Sequence, residues 1–259
     1  MVAILLELSG QGESVKSFSS RAARAEFFGT MVLITLGLGS VAQAEIGGAR
    51  FGTFLSINLA WGIAVMLAIC LTASVSGAHL NPAITLALAV HRKFEWSKVP
   101  AYLVAQVLGA FSGAALVYLA YREGIDLTDS GTRTIFATYP APYLSTIGGL
   151  IDQTVGTAVL MWGVLAIADS RSHSLAKNFA PLWIGLIVAG IGMSFGVNAG
   201  YAINPARDFG PRLFTAVAGW GPSVFKSGWW WVPILGPIFG AVLGASTYRI
   251  FLPETKSAR

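Results

Sequence analysis

Apolar residues run along this chain in long blocks, with polar residues gathered into the short stretches between them. Six blocks, residues 25–44, 54–74, 99–121, 150–168, 180–199 and 229–251, have the roughly 20-residue length of a membrane-spanning helix. Two further apolar segments, 82–90 and 205–217, are too short to span and predict half-helices. Both open on the same tripeptide, Asn81-Pro82-Ala83 and Asn204-Pro205-Ala206. Asn is a favoured helix N-cap, and Pro suits the first helical position because the N–H it lacks has no helical partner there.

Composition supports this division. Of 259 residues, 54% are hydrophobic and 11% charged, and the mean hydropathy is +0.66. Soluble domains carry about 25% charged residues, so the chain lacks the polar surface that water demands. Met1 to Ser20 does not read as a signal peptide, since its apolar run Val2–Leu6 is short and lacks a preceding basic residue. With an even number of spans both termini share a side. That side collects eleven of the 17 Lys and Arg residues, which predicts cytoplasmic termini by the positive-inside rule. The same asymmetry explains the net charge of +5 without a nucleic-acid partner. A single cysteine, Cys70, excludes an internal disulfide and is expected as a small buried apolar residue.

The two halves echo one another. Glu26 precedes Gly29-Thr30 as Gln153 precedes Gly156-Thr157, and the pair Gly109/Gly113 recurs as Gly240/Gly244. Three spans per half is an odd number, so the second half must be inverted relative to the first. Inverted repeats with interrupted helices mark transport proteins whose site lies near the midplane. The paired glycines are small-residue faces for close helix packing. Glu26 within a span is costly unless it is paired. A proton relay is one role for it. The preferred one is hydrogen bonding to the non-helical backbone ahead of a half-helix.

Half-helices entering from opposite faces bring two N-termini together, each with about half a positive charge. A cation there meets no compensating carboxylate, whereas a neutral hydroxyl can accept from the amides of Asn81 and Asn204. Helix ends so arranged exclude protons and cations from a pore. The motifs Ser76-Gly77-Ala78-His79-Leu80-Asn81-Pro82-Ala83 and Asn204-Pro205-Ala206-Arg207-Asp208-Phe209-Gly210-Pro211-Arg212 resemble those of the aquaporin, or major intrinsic protein, family. The resemblance covers residues 22–251 and is nearest to the aquaglyceroporin (glycerol facilitator) branch. Asp208 directly after Arg207 carries that preference, because water-selective members usually have a small residue there.

The resemblance implies an all-α membrane protein with six transmembrane helices plus two re-entrant half-helices in an inverted repeat. The channel domain is expected over 22–252, with repeats at 22–122 and 149–252 and cytoplasmic segments at 1–21 and 253–259. It implies a selectivity filter of Trp61, Gly192, Tyr201 and Arg207. In this filter two aromatics face the carbons of glycerol, Arg207 binds its oxygens, and Gly192 widens the aperture by lacking a side chain. Lipid or core packing is the alternative for Trp61. Pro82, Ala83, Pro205 and Ala206 cap the half-helices, with Glu26, Gln153, His79 and Asp208 in support. Asp208 is expected to pair locally with Arg212. His79 near the cytoplasmic mouth suits either a pH-sensitive gate or a neutral loop hydrogen bond. His91 and His173 are expected as ordinary interfacial loop residues, and Trp229-Trp230-Trp231 as an aromatic belt. Gln153 departs from members with a second buried glutamate, and Asp152 stands beside it.

The expected function is passive conduction of glycerol, other small neutral solutes such as urea, and water, by a homotetramer in the cell membrane without a cofactor. A water-selective channel of the same fold stays open, as does a coupled secondary transporter. The transporter is disfavoured because Glu26 and Asp152 are the only carboxyls placed to couple an ion. No zinc-protease or nucleophile-elbow motif supports an enzyme.

Overall fold

A computed structural model describes residues 15–128, 131–169 and 174–253. Its helices in chain order are α1 (Val15–Gly47), α2 (Phe54–Ser76), α3 (Pro82–Val90), α4 (Val99–Tyr121), α5 (Thr146–Ala168), α6 (Ser174–Asn178), α7 (Ala180–Ala199), α8 (Pro205–Thr215) and α9 (Val232–Phe251). Helices α1, α2, α4, α5, α7 and α9 are long and apolar enough to cross a membrane. At 9 and 11 residues, α3 and α8 are not. The architecture is the expected all-α inverted repeat, with α1–α4 and α5–α9 as its halves.

Equivalent helices pack in equivalent ways. Helix α1 lies on α4 as α5 lies on α9, and α2 meets α7 between the halves. Each half-helix crosses over, α3 packing against α9 and α8 against α4. Glycines set these approaches. A Cβ on Gly109 would strike the Phe27 carbonyl, one on Gly113 the Met31 carbonyl at 2.7 Å, and one on Gly244 the Ala158 carbonyl at 2.8 Å. Without a hydrophobic drive between helices in lipid, this backbone proximity is what holds them.

The polarity is inverted relative to a water-soluble fold. Glu26, Asn58, Gln106, Gln153, Asp208 and Arg212 are fully buried, while Leu55, Leu59, Ile63, Leu67 and Leu71 form an exposed stripe on α2. In lipid the apolar surface needs no cover, but every interior polar group needs a partner.

Helices α2 and α7 end at Gly77 and Gly200, both left-handed (φ 83° and 66°), the conformation that releases the chain from a helix at least cost. The non-helical stretches that follow lead straight into α3 and α8. Asn81 accepts from the Ala83 N–H at 2.9 Å, and Asn204 accepts from the N–H groups of Ala206 and Arg207 at 3.0 and 3.3 Å. The side-chain oxygens thus cap the helices that the proline rings start.

Three expectations change. Cys70 is exposed on the outer face of α2 rather than buried, because α2 packs through its Gly62 side instead. Trp229 does not sit in an interfacial belt. It is 3% exposed and packs with Ala199 and Val232 in the space that Gly149 leaves open, so the last span starts at Val232. Helix α1 runs from Val15 to Gly47, longer at both ends than the apolar block 25–44.

Candidate pore and selectivity site

A cavity runs between the two half-helix N-termini. Its lining brings together the loop segments Gly77 to Asn81 and Tyr201 to Asn204 with the aliphatic side chains of Val65 and Ile69 of α2, Leu160 and Val164 of α5, and Ile184 and Val188 of α7. A solute inside therefore finds both hydrogen-bonding groups and hydrocarbon.

At its centre the two asparagines are cross-linked. Asn81 Nδ2 donates to the Ile203 carbonyl at 2.9 Å, and Asn204 Nδ2 donates to the Leu80 carbonyl at 2.8 Å. An amide nitrogen has two hydrogens, so each asparagine keeps one donor after this bond. Both residues line the cavity. The opposed helix ends add positive potential at the same place.

Each pore loop is held from behind. Glu26 accepts from Ser76 Oγ at 2.6 Å, the His79 N–H at 2.9 Å, the Leu80 N–H at 2.6 Å and Gln106 Nε2 at 2.8 Å. With all four contacts made inside the protein, its carboxyl group is a brace for non-helical backbone. In the second half Gln153 Oε1 accepts from the Ile203 N–H at 3.0 Å. The braces oppose real strain, since Ala78, Leu80, Tyr201 and Ile203 all hold positive φ without being glycine (49°, 53°, 37° and 42°).

Toward the second half-helix the cavity meets Trp61, Tyr201 and Arg207, which are 3%, 6% and 8% exposed. The Arg207 guanidinium carbon stands 4.4 Å from the centroid of the Trp61 ring, a cation–π contact between α8 and α2. Among the described residues its Nη1 has no partner, and neither does the Tyr201 hydroxyl. Gly192 does not line the cavity. A Cβ there would collide with Asn58 Oδ1 and lie 2.6 Å from Tyr201 Cζ. The place of its missing side chain is thus filled by Asn58 and the Tyr201 ring and is not open lumen. Asn58 was not among the expected site residues; its position three residues before Trp61, on the same helical face, was the available signal.

Asp208 turns away from the lumen. Its carboxylate pairs with Arg212 Nε at 2.9 Å and accepts from the Thr138 N–H and hydroxyl at 2.7 and 2.6 Å. Arg212 also donates to the carbonyls of Thr138 (2.6 Å) and Val224 (3.1 Å). This fully buried pair ties α8 to the segments on either side of it. It leaves Arg207 without a neutralising carboxylate on the pore side.

His79 lines the cavity, contacts Thr85 Oγ1 through Nδ1 at 3.1 Å, and packs against the rings of Phe94 and Tyr102. Its partner is thus a hydroxyl and not loop backbone. His91 is more than a loop residue: it caps α3, and Arg249 donates to its carbonyl at 3.1 Å and contacts its Nδ1 at 3.0 Å. His173 lies outside the described residues.

The fold, with its cavity between two opposed half-helices, is that of a passive membrane channel. Residues 13–248 match the major intrinsic protein family, and the chain belongs to that family. Its relatives include human aquaporin-10, 44% identical over 92% of this chain and 83% of that protein. Human aquaporin-9 is 45% identical over 92% of this chain and 84% of that protein. Among solved structures, the aquaglyceroporin from Plasmodium falciparum superposes with a TM-score of 0.82 at 33% identity, covering 91% of this chain and 98% of that one.

Proposed function

We propose that Trp61, Tyr201 and Arg207 form the selectivity filter of a channel for glycerol and water. Gly192 acts there by admitting Asn58 and Tyr201. The observation that carries this assignment is Arg207 in the cavity wall with its guanidinium stacked on Trp61 and, among the described residues, no partner for its Nη1. Glycerol has one hydroxyl-bearing edge and one C–H edge. Its oxygens accept from Arg207 while its carbons lie on the two aromatic rings. Asn81 and Asn204 take over as donors deeper in the pore, where aliphatic side chains share the lining. Protons and cations meet Arg207 and two helix N-termini of the same sign. The resemblance to an aquaglyceroporin structure and to human aquaporin-9 and aquaporin-10 supports the same assignment.

Urea, neutral and of similar width, passes the same filter. The channel works as a homotetramer in the cell membrane, with one pore per subunit and both termini in the cytoplasm. The excess of basic residues on the terminal side supports that orientation.

Stopped-flow light scattering on proteoliposomes tests the assignment. Protein-dependent re-swelling in a glycerol gradient, together with fast shrinkage in an impermeant osmolyte, is the expected result. Fast shrinkage with no re-swelling overturns the glycerol assignment and makes the pore water-selective.

A further inference from the structure

Gln153 braces the second pore loop with an amide, where Glu26 braces the first with a carboxylate, and the difference has a consequence. A carboxylate accepts through either oxygen, so its orientation is immaterial to a backbone N–H. An amide has one accepting end and one donating end. The Ile203 N–H can only donate, so Gln153 supports the loop only when Oε1 faces it. With the amide reversed, two donors would oppose one another at a buried site.

Asp152 decides the orientation. Its Oδ2 accepts from Gln153 Nε2 at 3.0 Å, which turns Oε1 toward Ile203. Its Oδ1 accepts from Asn198 Nδ2 at 2.7 Å, at the end of α7. Asn198 in turn accepts from the Tyr143 hydroxyl at 2.9 Å, and its own carbonyl accepts from the Ala141 N–H at 2.8 Å. Tyr143 and Ala141 lie in the connection between the halves. The chain of bonds therefore runs from that connection through Asn198, Asp152 and Gln153 to Ile203. The Ile203 carbonyl then receives Asn81 Nδ2 at the pore centre.

We propose that Asp152 is the positioning residue of the second pore loop. It acts through Gln153 and touches no solute. Asp152 and Gln153 together do for Ile203 what Glu26 alone does for His79 and Leu80. The need is acute at Ile203, a β-branched residue held at φ 42°. Without a correctly turned amide the Ile203 N–H loses its acceptor and the loop is left to the Asn81 bond at the Ile203 carbonyl, so the Asn81 and Tyr201 groups lose their registration.

This proposal rests on the channel assignment, and the experiment separates the two. Wild type, Asp152→Ala, Gln153→Glu and the double variant Asp152→Ala/Gln153→Glu are reconstituted at equal protein. Glycerol and water permeabilities and the apparent melting temperature are measured for each. Removing the acceptor in Asp152→Ala lowers both permeabilities about five- to tenfold. The double variant recovers to within about twofold of wild type, because a carboxylate at position 153 needs nothing to orient it. Gln153→Glu alone sets two carboxylates side by side and does worse than the double variant.

Asp152→Ala matching wild type overturns the proposal, and so does a double variant as defective as Asp152→Ala. If Asp152→Ala is not recovered folded, recovery of the conducting double variant supports the proposal and its absence overturns it. A wild type that conducts nothing counts against the channel assignment instead. The order of melting temperatures then decides the role of Asp152 by itself.

Discussion

The Arg207 guanidinium lies over the Trp61 ring at 4.4 Å, joining a half-helix to a spanning helix in the wall of the cavity. Arg207 stacks on the Trp61 ring, and the edge of that ring fills the space that Gly37 leaves open. Trp61→Ala is expected to lose size discrimination, raising the flux of a six-carbon polyol relative to that of glycerol while water permeability stays equal or rises. Re-swelling rates in glycerol and in the larger polyol, compared in one preparation, check this.

Arg207→Ala removes the fixed charge and leaves the two helix ends to repel cations alone. Each end is equivalent to only about half a charge. Glycerol permeability is expected to fall for want of the guanidinium donors, and a small cation conductance should appear. A voltage-clamped bilayer holding the variant reads the second effect directly. Unchanged glycerol flux would remove Arg207 from the filter.

At Gly192 the expected effect of a single methyl group is large. A Cβ there meets Asn58 Oδ1 and Tyr201 Cζ, so Gly192→Ala pushes the Tyr201 ring into the lumen. Overpacking of this kind costs about 1–3 kcal/mol, and here it is relieved by narrowing the pore. Glycerol flux should drop more than water flux. Adding Asn58→Ala frees part of the space and should restore part of the glycerol flux. Equal loss of both fluxes would mean that the substitution damages the fold in general.

Asp208 and Arg212 are both fully buried, and each serves the other's charge. Removing one member of such a pair strands the other and costs about 3–5 kcal/mol. Asp208→Ala is therefore expected to lower the apparent melting temperature in detergent much more than Arg207→Ala does, although the two positions are adjacent. Comparable melting temperatures would show that Arg212 finds sufficient partners in the Thr138 and Val224 carbonyls.

Glu26→Gln carries the amide problem into the first loop. Its oxygens take four donors, and an amide can accept at only one of its two ends. At least one buried donor is left facing another, at about 1–3 kcal/mol. Lower stability and lower conduction are expected together, measured on the same reconstituted sample.

Much of this protein is legible in its sequence because a membrane imposes strong local rules. Six apolar blocks, two short ones, and the repeated Asn-Pro-Ala define helices, half-helices and their caps by chemistry that acts within a few residues. The inverted repeat follows from counting three spans per half. The local pairing of Asp208 with Arg212, one helical turn apart, is legible for the same reason. Tertiary structure decided everything that depends on which face of a helix looks where. It put Cys70 outside and Trp229 inside, because the glycines of neighbouring helices set where each helix can be approached. It filled the gap at Gly192 with Asn58 from another helix, a contact between residues 134 positions apart that no spacing announces. It also turned Asp152 into the partner of Gln153, since the direction of a side-chain amide is settled only by the donors and acceptors that folding brings around it.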